Sequence, residues 1–133
     1  MKTIKLSVRT GKHTQMLDIT RDIQKAVTES GVKEGICTVF IPHTTAAVTI
    51  NENADPDVVH DLLIGLKGAY PERREFRHME GNSTAHLKSS AMSPQQVIIV
   101  EGGKLYLGIW QGIYFTEFDG PRNRRFCVKV ISD

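Results

Sequence analysis

Ile36-Cys37-Thr38-Val39-Phe40-Ile41-Pro42-His43-Thr44-Thr45-Ala46-Ala47-Val48-Thr49-Ile50-Asn51-Glu52-Asn53-Ala54-Asp55-Pro56 is the stretch that decides the fold. Its first six residues are nearly continuous in apolar and β-branched side chains and too few for a helix. They read as a central strand covered on both faces. Pro42 offers no N–H to a ladder, so the strand stops there and His43 emerges at its end. Ala46 to Ile50 is a second apolar strand. Asp55 then reads as an N-cap and Pro56 as the first helical residue, with Asp57 suited to the positive end of the helix dipole.

Toward the N-terminus, Ile4, Leu6 and Val8 alternate with Lys5, Ser7 and Arg9, the period of a strand with one wet face. Gln15 to Ile19 is a second short strand. Thr20 caps a helix with Asp22 in its first turn and an apolar stripe of Ile23, Ala26 and Val27, and Gly31 ends it. Toward the C-terminus, Val58, Val59, Leu62, Leu63 and Leu66 form the buried stripe of the Pro56 helix, which fades by Gly68. Tyr70 to Arg77 is a charged loop, and the polar run from Phe76 to Ser90 is expected to be disordered or functional. Val97–Val100 and Leu105–Leu107 flank a hairpin turn, glycines punctuate the segment around Trp110, and Arg125–Ile131 is a final strand. No βαβ rhythm is present. Residues 1–133 are therefore expected to form a single α+β domain, a largely antiparallel β-sandwich of about eight strands with two or three helices.

A chain of 133 residues buries roughly 68% of the surface of its unfolded form, so it needs no metal or disulfide merely to fold. Seventeen Lys and Arg against fifteen Asp and Glu leave it almost balanced in charge, so no overall field that gathers nucleic acid is expected. Cys37 and Cys127 sit in apolar strand-like runs and read as small hydrophobes. The first residues lack the apolar core of a signal peptide, and no window reaches the roughly 20 apolar residues of a membrane span. A cytoplasmic protein without membrane or nucleic-acid partners is expected.

Three constellations carry chemistry. His43, His78 and His86 are imidazoles of the kind that bind zinc and similar ions, although their spacing matches no compact metal motif. Glu52 and Asp55 are carboxylates three positions apart that suit a hard cation or acid–base work, and capping explains Asp55 equally well. Lys88, Ser89 and Ser90, followed by the basic stretch Arg122, Asn123, Arg124 and Arg125, supply an ammonium, hydroxyls and guanidinium donors suited to phosphate oxygens, with Arg125 reading as outward-facing. His13 and His60 read as surface or structural residues.

The segments His43-Thr44-Thr45-Ala46, Asn51-Glu52-Asn53-Ala54-Asp55-Pro56, His78 through Glu80-Gly81, His86-Leu87-Lys88-Ser89-Ser90, Leu107-Gly108-Ile109-Trp110-Gln111-Gly112 and Glu117-Phe118-Asp119-Gly120-Pro121-Arg122 resemble the YjbQ family. That family is also called the secondary thiamine-phosphate synthase family. The match in order and spacing extends over almost the entire chain. Met79 and Gly81-Asn82-Ser83-Thr84 depart from the longer, more acidic loop of many members. The resemblance implies a β-sandwich with helices, a homotrimer with its polar pocket near the subunit boundary, and a divalent metal, zinc expected, at His43, His78 and His86.

The activity that the resemblance implies is a transferase reaction, in which a thiazole phosphate nitrogen displaces pyrophosphate from a pyrimidine diphosphate with Mg2+ accompanying the substrate. Glu52 and Asp55 would then be catalytic. Asn51, Asn53, Lys88, Ser89, Ser90, Gln111 and Arg122 would bind substrate and phosphate, and Trp110 would wall the pocket. Two other readings remain open: a metal-dependent hydrolase of phosphorylated small molecules with Glu52 as base, and a non-catalytic trimer that binds an anionic ligand.

Overall fold

A computed structural model describes residues 2–133; Met1, the first residue of the expected domain, lies outside the described residues. The chain runs β1 (Ile4–Arg9), β2 (Gln15–Asp18), α1 (Thr20–Ser30), β3 (Gly35–Phe40), β4 (Ala46–Glu52), α2 (Pro56–Ala69), α3 (Ser83–Met92), β5 (Gln95–Glu101), β6 (Lys104–Leu105), β7 (Gln111–Glu117) and β8 (Asn123–Ser132). Strands β1-β8-β3-β5-β6 form one sheet and β2-β7-β4 another, and all neighbouring strands are antiparallel. The fold is the expected α+β sandwich, with eight strands and three helices.

The alternation of side chains along the strands decides what fills the space between the sheets. Cys37 and Val39 from β3, Val48 from β4, Ile98 and Val100 from β5, Ile113 and Phe115 from β7, and Phe126, Val128 and Val130 from β8 meet there, closed at one side by Ile23, Ala26 and Val27 of α1. The α1 entrance differs from expectation. Thr20 is its first residue rather than its cap, and the Asp18 carboxylate accepts from the Thr20 N–H at 2.9 Å. Thr20 Oγ1 is left to accept from the Ile113 N–H at 2.8 Å, which ties the helix start to β7.

Three further expectations are corrected. Strand β3 is central but covered on one face only: Ile36 and Phe40 stay exposed, and beside them Val97, Ile99 and Ile131 make the outer face of the five-stranded sheet apolar. The stripe of α2 is half-buried rather than buried, because that helix lies at the surface. The polar run before Ser90 is not all loop. It folds into α3 on β4, where Ala85 packs with Ala47 and Phe118, a buried face of small side chains that leaves no hydropathy period. Among the described residues, no helix is long and apolar enough to cross a membrane.

Candidate functional site

His43 is half-buried in the turn between β3 and β4. Its Nε2 accepts from the backbone N–H of Arg125 at 3.0 Å, which requires a bare nitrogen. Burial, and next the charge of Arg124, hold its pKa below the ordinary imidazole value. His86, Ser89 and Ser90 reach the same place from α3, since positions three and four apart share a helix face. With Thr44, Ala46 and Pro94 they line a pocket of about 250 Å³. Ser89 Oγ is buried there without a hydrogen-bond partner among the described residues. A buried hydroxyl left that way costs roughly 1–3 kcal/mol, a cost that a ligand would remove.

His78 lies in the exposed loop before α3, its ring edge-on to that of His86 with centroids 5.3 Å apart. The three imidazoles are thus gathered on one side of the molecule. They do not, in this arrangement, fit a zinc centre: among the described residues no three His, Cys, Asp or Glu side chains are grouped to hold one ion, and His43 Nε2 is committed to Arg125.

The remaining expected site residues fall elsewhere. Strand β4 runs from Ala46 to Glu52, about 20 Å at the rise of an extended chain, so Asn51, Glu52, Asn53 and Asp55 stand at its far end from His43. There the Asn51 side chain accepts from the Glu52 N–H at 2.7 Å, and Asn53 reaches Asp18 at 3.4 Å. Gly112 makes room for Asn53, whose amide nitrogen would sit 2.7 Å from a Cβ at that position. Gln111 Oε1 accepts from the Gly108 N–H at 2.7 Å. Trp110 is exposed at the same end and does not wall the histidine pocket. Asp55 performs its capping task, accepting from the Asp57 N–H at 2.9 Å.

Arg122 is engaged by carboxylates. Its Nη2 stands 2.9 Å from Asp119 and 3.6 Å from Glu80, and its Nε donates to the Asp119 carbonyl at 2.7 Å. Lys88 lies on the opposite side of α3 from Ser89 and Ser90, in a cleft of its own. Both cysteines are free thiols. Cys37 is buried, and burial pushes its thiol up to about 11.

What sequence reasoning did not foresee is the pairing of Glu117 with Arg124, both buried. Glu117 accepts from Arg124 Nε at 2.8 Å, from Thr10 Oγ1 at 2.8 Å and from the Asp119 N–H at 3.0 Å. Burial pushes its carboxyl up, but these hydrogen bonds together outweigh it and hold the group below its ordinary value. Arg124 also donates to Thr45 Oγ1 at 2.8 Å, fixing the chain two residues beyond His43. Nothing in the local sequence distinguishes Arg124 from its neighbours Arg122 and Arg125. Only its place on the inward side of β8 does so.

Residues 4–133 match the family described as UPF0047 protein YjbQ-like. A UPF0047 protein of Methanocaldococcus jannaschii is 52% identical over 129 residues, covering 97% of this chain and 94% of the relative. The UPF0047 protein YugU of Bacillus subtilis is 50% identical over 127 residues, covering 95% and 96%. Among solved structures, an uncharacterised YjbQ/UPF0047-family protein of Clostridium acetobutylicum superposes with a TM-score of 0.94 at 56% identity, covering 96% of this chain and 99% of the other. A protein of unknown function from Sulfolobus solfataricus also gives 0.94, at 32% identity, covering 99% and 97%.

Proposed function

We propose that this chain, which belongs to the UPF0047 YjbQ-like family, binds a phosphorylated small molecule in the pocket between His43 and His86 and acts on it as a transferase of the thiamine phosphate synthase type. In that reaction the ring nitrogen of a thiazole phosphate forms a C–N bond to the methylene carbon of a pyrimidine diphosphate. The C–O bond to pyrophosphate breaks, and pyrophosphate leaves with the electron pair. The observation that carries the reading is the gathering of two imidazoles and two hydroxyls from distant segments around the unpartnered Ser89 Oγ. Donors set in advance around oxygens that gain charge are what a leaving pyrophosphate needs.

A homotrimer belongs to the same proposal. The apolar outer face with Ile36, Phe40, Val97, Ile99 and Ile131 is the surface that a second copy would cover, since apolar patches of this kind mark association. Assembly is also the route by which Asn51, Glu52 and Asn53 of one copy could approach the histidine pocket of another. We place the protein in the cytoplasm, where the free Cys37 and Cys127 stay reduced.

One observation favours a second reading, an anion-binding oligomer without turnover: Glu52 and Asp55 stand at the far end of β4, so neither serves as a base beside His43 within one chain. Incubating the protein with both thiamine precursors and Mg2+ separates the two. Thiamine phosphate that appears with the native chain and falls away in His86→Ala and Ser89→Ala supports transfer. If no product forms, or if it is undiminished in both variants, the transferase reading is wrong.

A further inference from the structure

We infer that the cleft between α2 and α3 is a separate binding site for a phosphate monoester, held by Lys88 and Lys67. Along α3, Thr84 and Lys88 are four residues apart and share the face opposite the His86 and Ser89 pocket. With Lys67 from α2 and His13 and Thr14 from the β1–β2 loop, they line a cavity of about 340 Å³.

Lys88 is only 7% exposed, and among the described residues no carboxylate lies within ion-pairing distance of it. The Phe118 ring lies 5.8 Å from the ammonium. A buried charge is costly unless it is paired. Here the cost is compounded, because the neighbouring ammonium of Lys67 repels it. Burial first and Lys67 second lower the Lys88 pKa. Two ammoniums on the lining of one cleft, with no carboxylate paired to Lys88 among the described residues, are an arrangement that a dianion relieves.

The walls narrow the class of ligand. The hydroxyls of Thr14 and Thr84 can donate to phosphate oxygens, while Leu63 and Tyr70 offer apolar surface to the carbon body of an ester. Glu72, the one carboxylate on the lining, is exposed and would repel an anion placed beside it, which confines the phosphate to the lysine end. The site stands independently of any reaction at the histidine pocket.

Phenyl phosphate is a suitable probe, followed by calorimetry and by amide resonances of isotope-labelled protein. Binding is expected to shift Thr14, Tyr70 and Thr84. It should weaken about tenfold or more in Lys88→Met and in Lys67→Met, each of which removes a charged hydrogen-bond donor, and should be unchanged in Lys104→Met at the β5–β6 turn. Lys88→Met keeps the buried stem and removes the unpaired charge, so its melting temperature without ligand should equal or exceed that of the native chain. A ligand affinity unaltered by Lys88→Met in a protein that still folds would overturn the inference. So would shifts confined to His43, His86 and Ser89, or a lower melting temperature in Lys88→Met without ligand.

Discussion

The carboxylate of Glu117, at the end of β7 in the three-stranded sheet, is bound by the guanidinium of Arg124, in β8 of the five-stranded sheet. Both groups are buried. The pair therefore joins the two layers from inside, at the edge where His43 takes its hydrogen bond from Arg125.

Removing one member of this pair leaves the other charged and dry. Glu117→Leu and Arg124→Met should each lower stability by about 3–5 kcal/mol, and the two together should cost clearly less than the sum. Urea unfolding of the four proteins completes the cycle. Additive losses would mean that the two side chains act separately.

Acid should destabilise the protein in two stages. His43 has a folded pKa below its ordinary 6.5, so its contribution is complete above that value and is lost as pH falls through 6.5 toward the folded pKa, where only the unfolded chain takes the proton. Glu117 is depressed below 4.5, so its contribution is lost only at pH below that. His43→Ala should remove the upper stage and keep the lower one. Melting temperatures measured across this range decide the matter, and an upper stage that survives the substitution would clear His43 of responsibility.

Asp55 separates capping from catalysis. Asp55→Ala should cost about 1 kcal/mol through the lost bond to the Asp57 N–H, whereas Asp55→Ser should recover most of that. Turnover of the thiamine precursors should be the same in both variants at a temperature where both are folded. Loss of product in Asp55→Ser would restore the carboxylate to a chemical role.

The exposed sheet face is tested by charge. Ile99→Asp places a carboxylate beside Ile36 on that face and should turn the proposed trimer into monomers, as read by light scattering. The same substitution should leave the monomer's helix and strand content intact, since Ile99 is more than half exposed. A trimer that tolerates Ile99→Asp would mean that copies meet elsewhere.

Much of the architecture was legible because its signals are local. Alternation revealed β1, and the Asp55-Pro56 pair revealed the start of α2. Strand β7 shows in the sequence only as a segment punctuated by glycine, because it is buried from Gly112 to Glu117 and mixes Tyr114, Thr116 and Glu117 into its run without alternation. Helix α3 escaped because Ala85 and Ser89 do on its inner face what larger residues usually do.

The site was legible only in part, for a reason of length. His43 and Glu52 are close in sequence, but an extended strand lies between them and carries them to opposite ends of the sheet. Lys88 and Ser89 are adjacent, yet a helix turns successive residues about 100° apart and so sends them into different cavities.

Helix α3 is the shared partition between those cavities. One face of it carries Thr84 and Lys88 and the other His86, Ser89 and Ser90, so any displacement of this helix moves both linings together. Any coupling between the two occupants would, by thermodynamic linkage, be equal in both directions. A single ten-residue helix is in this sense a lever with a load at each side.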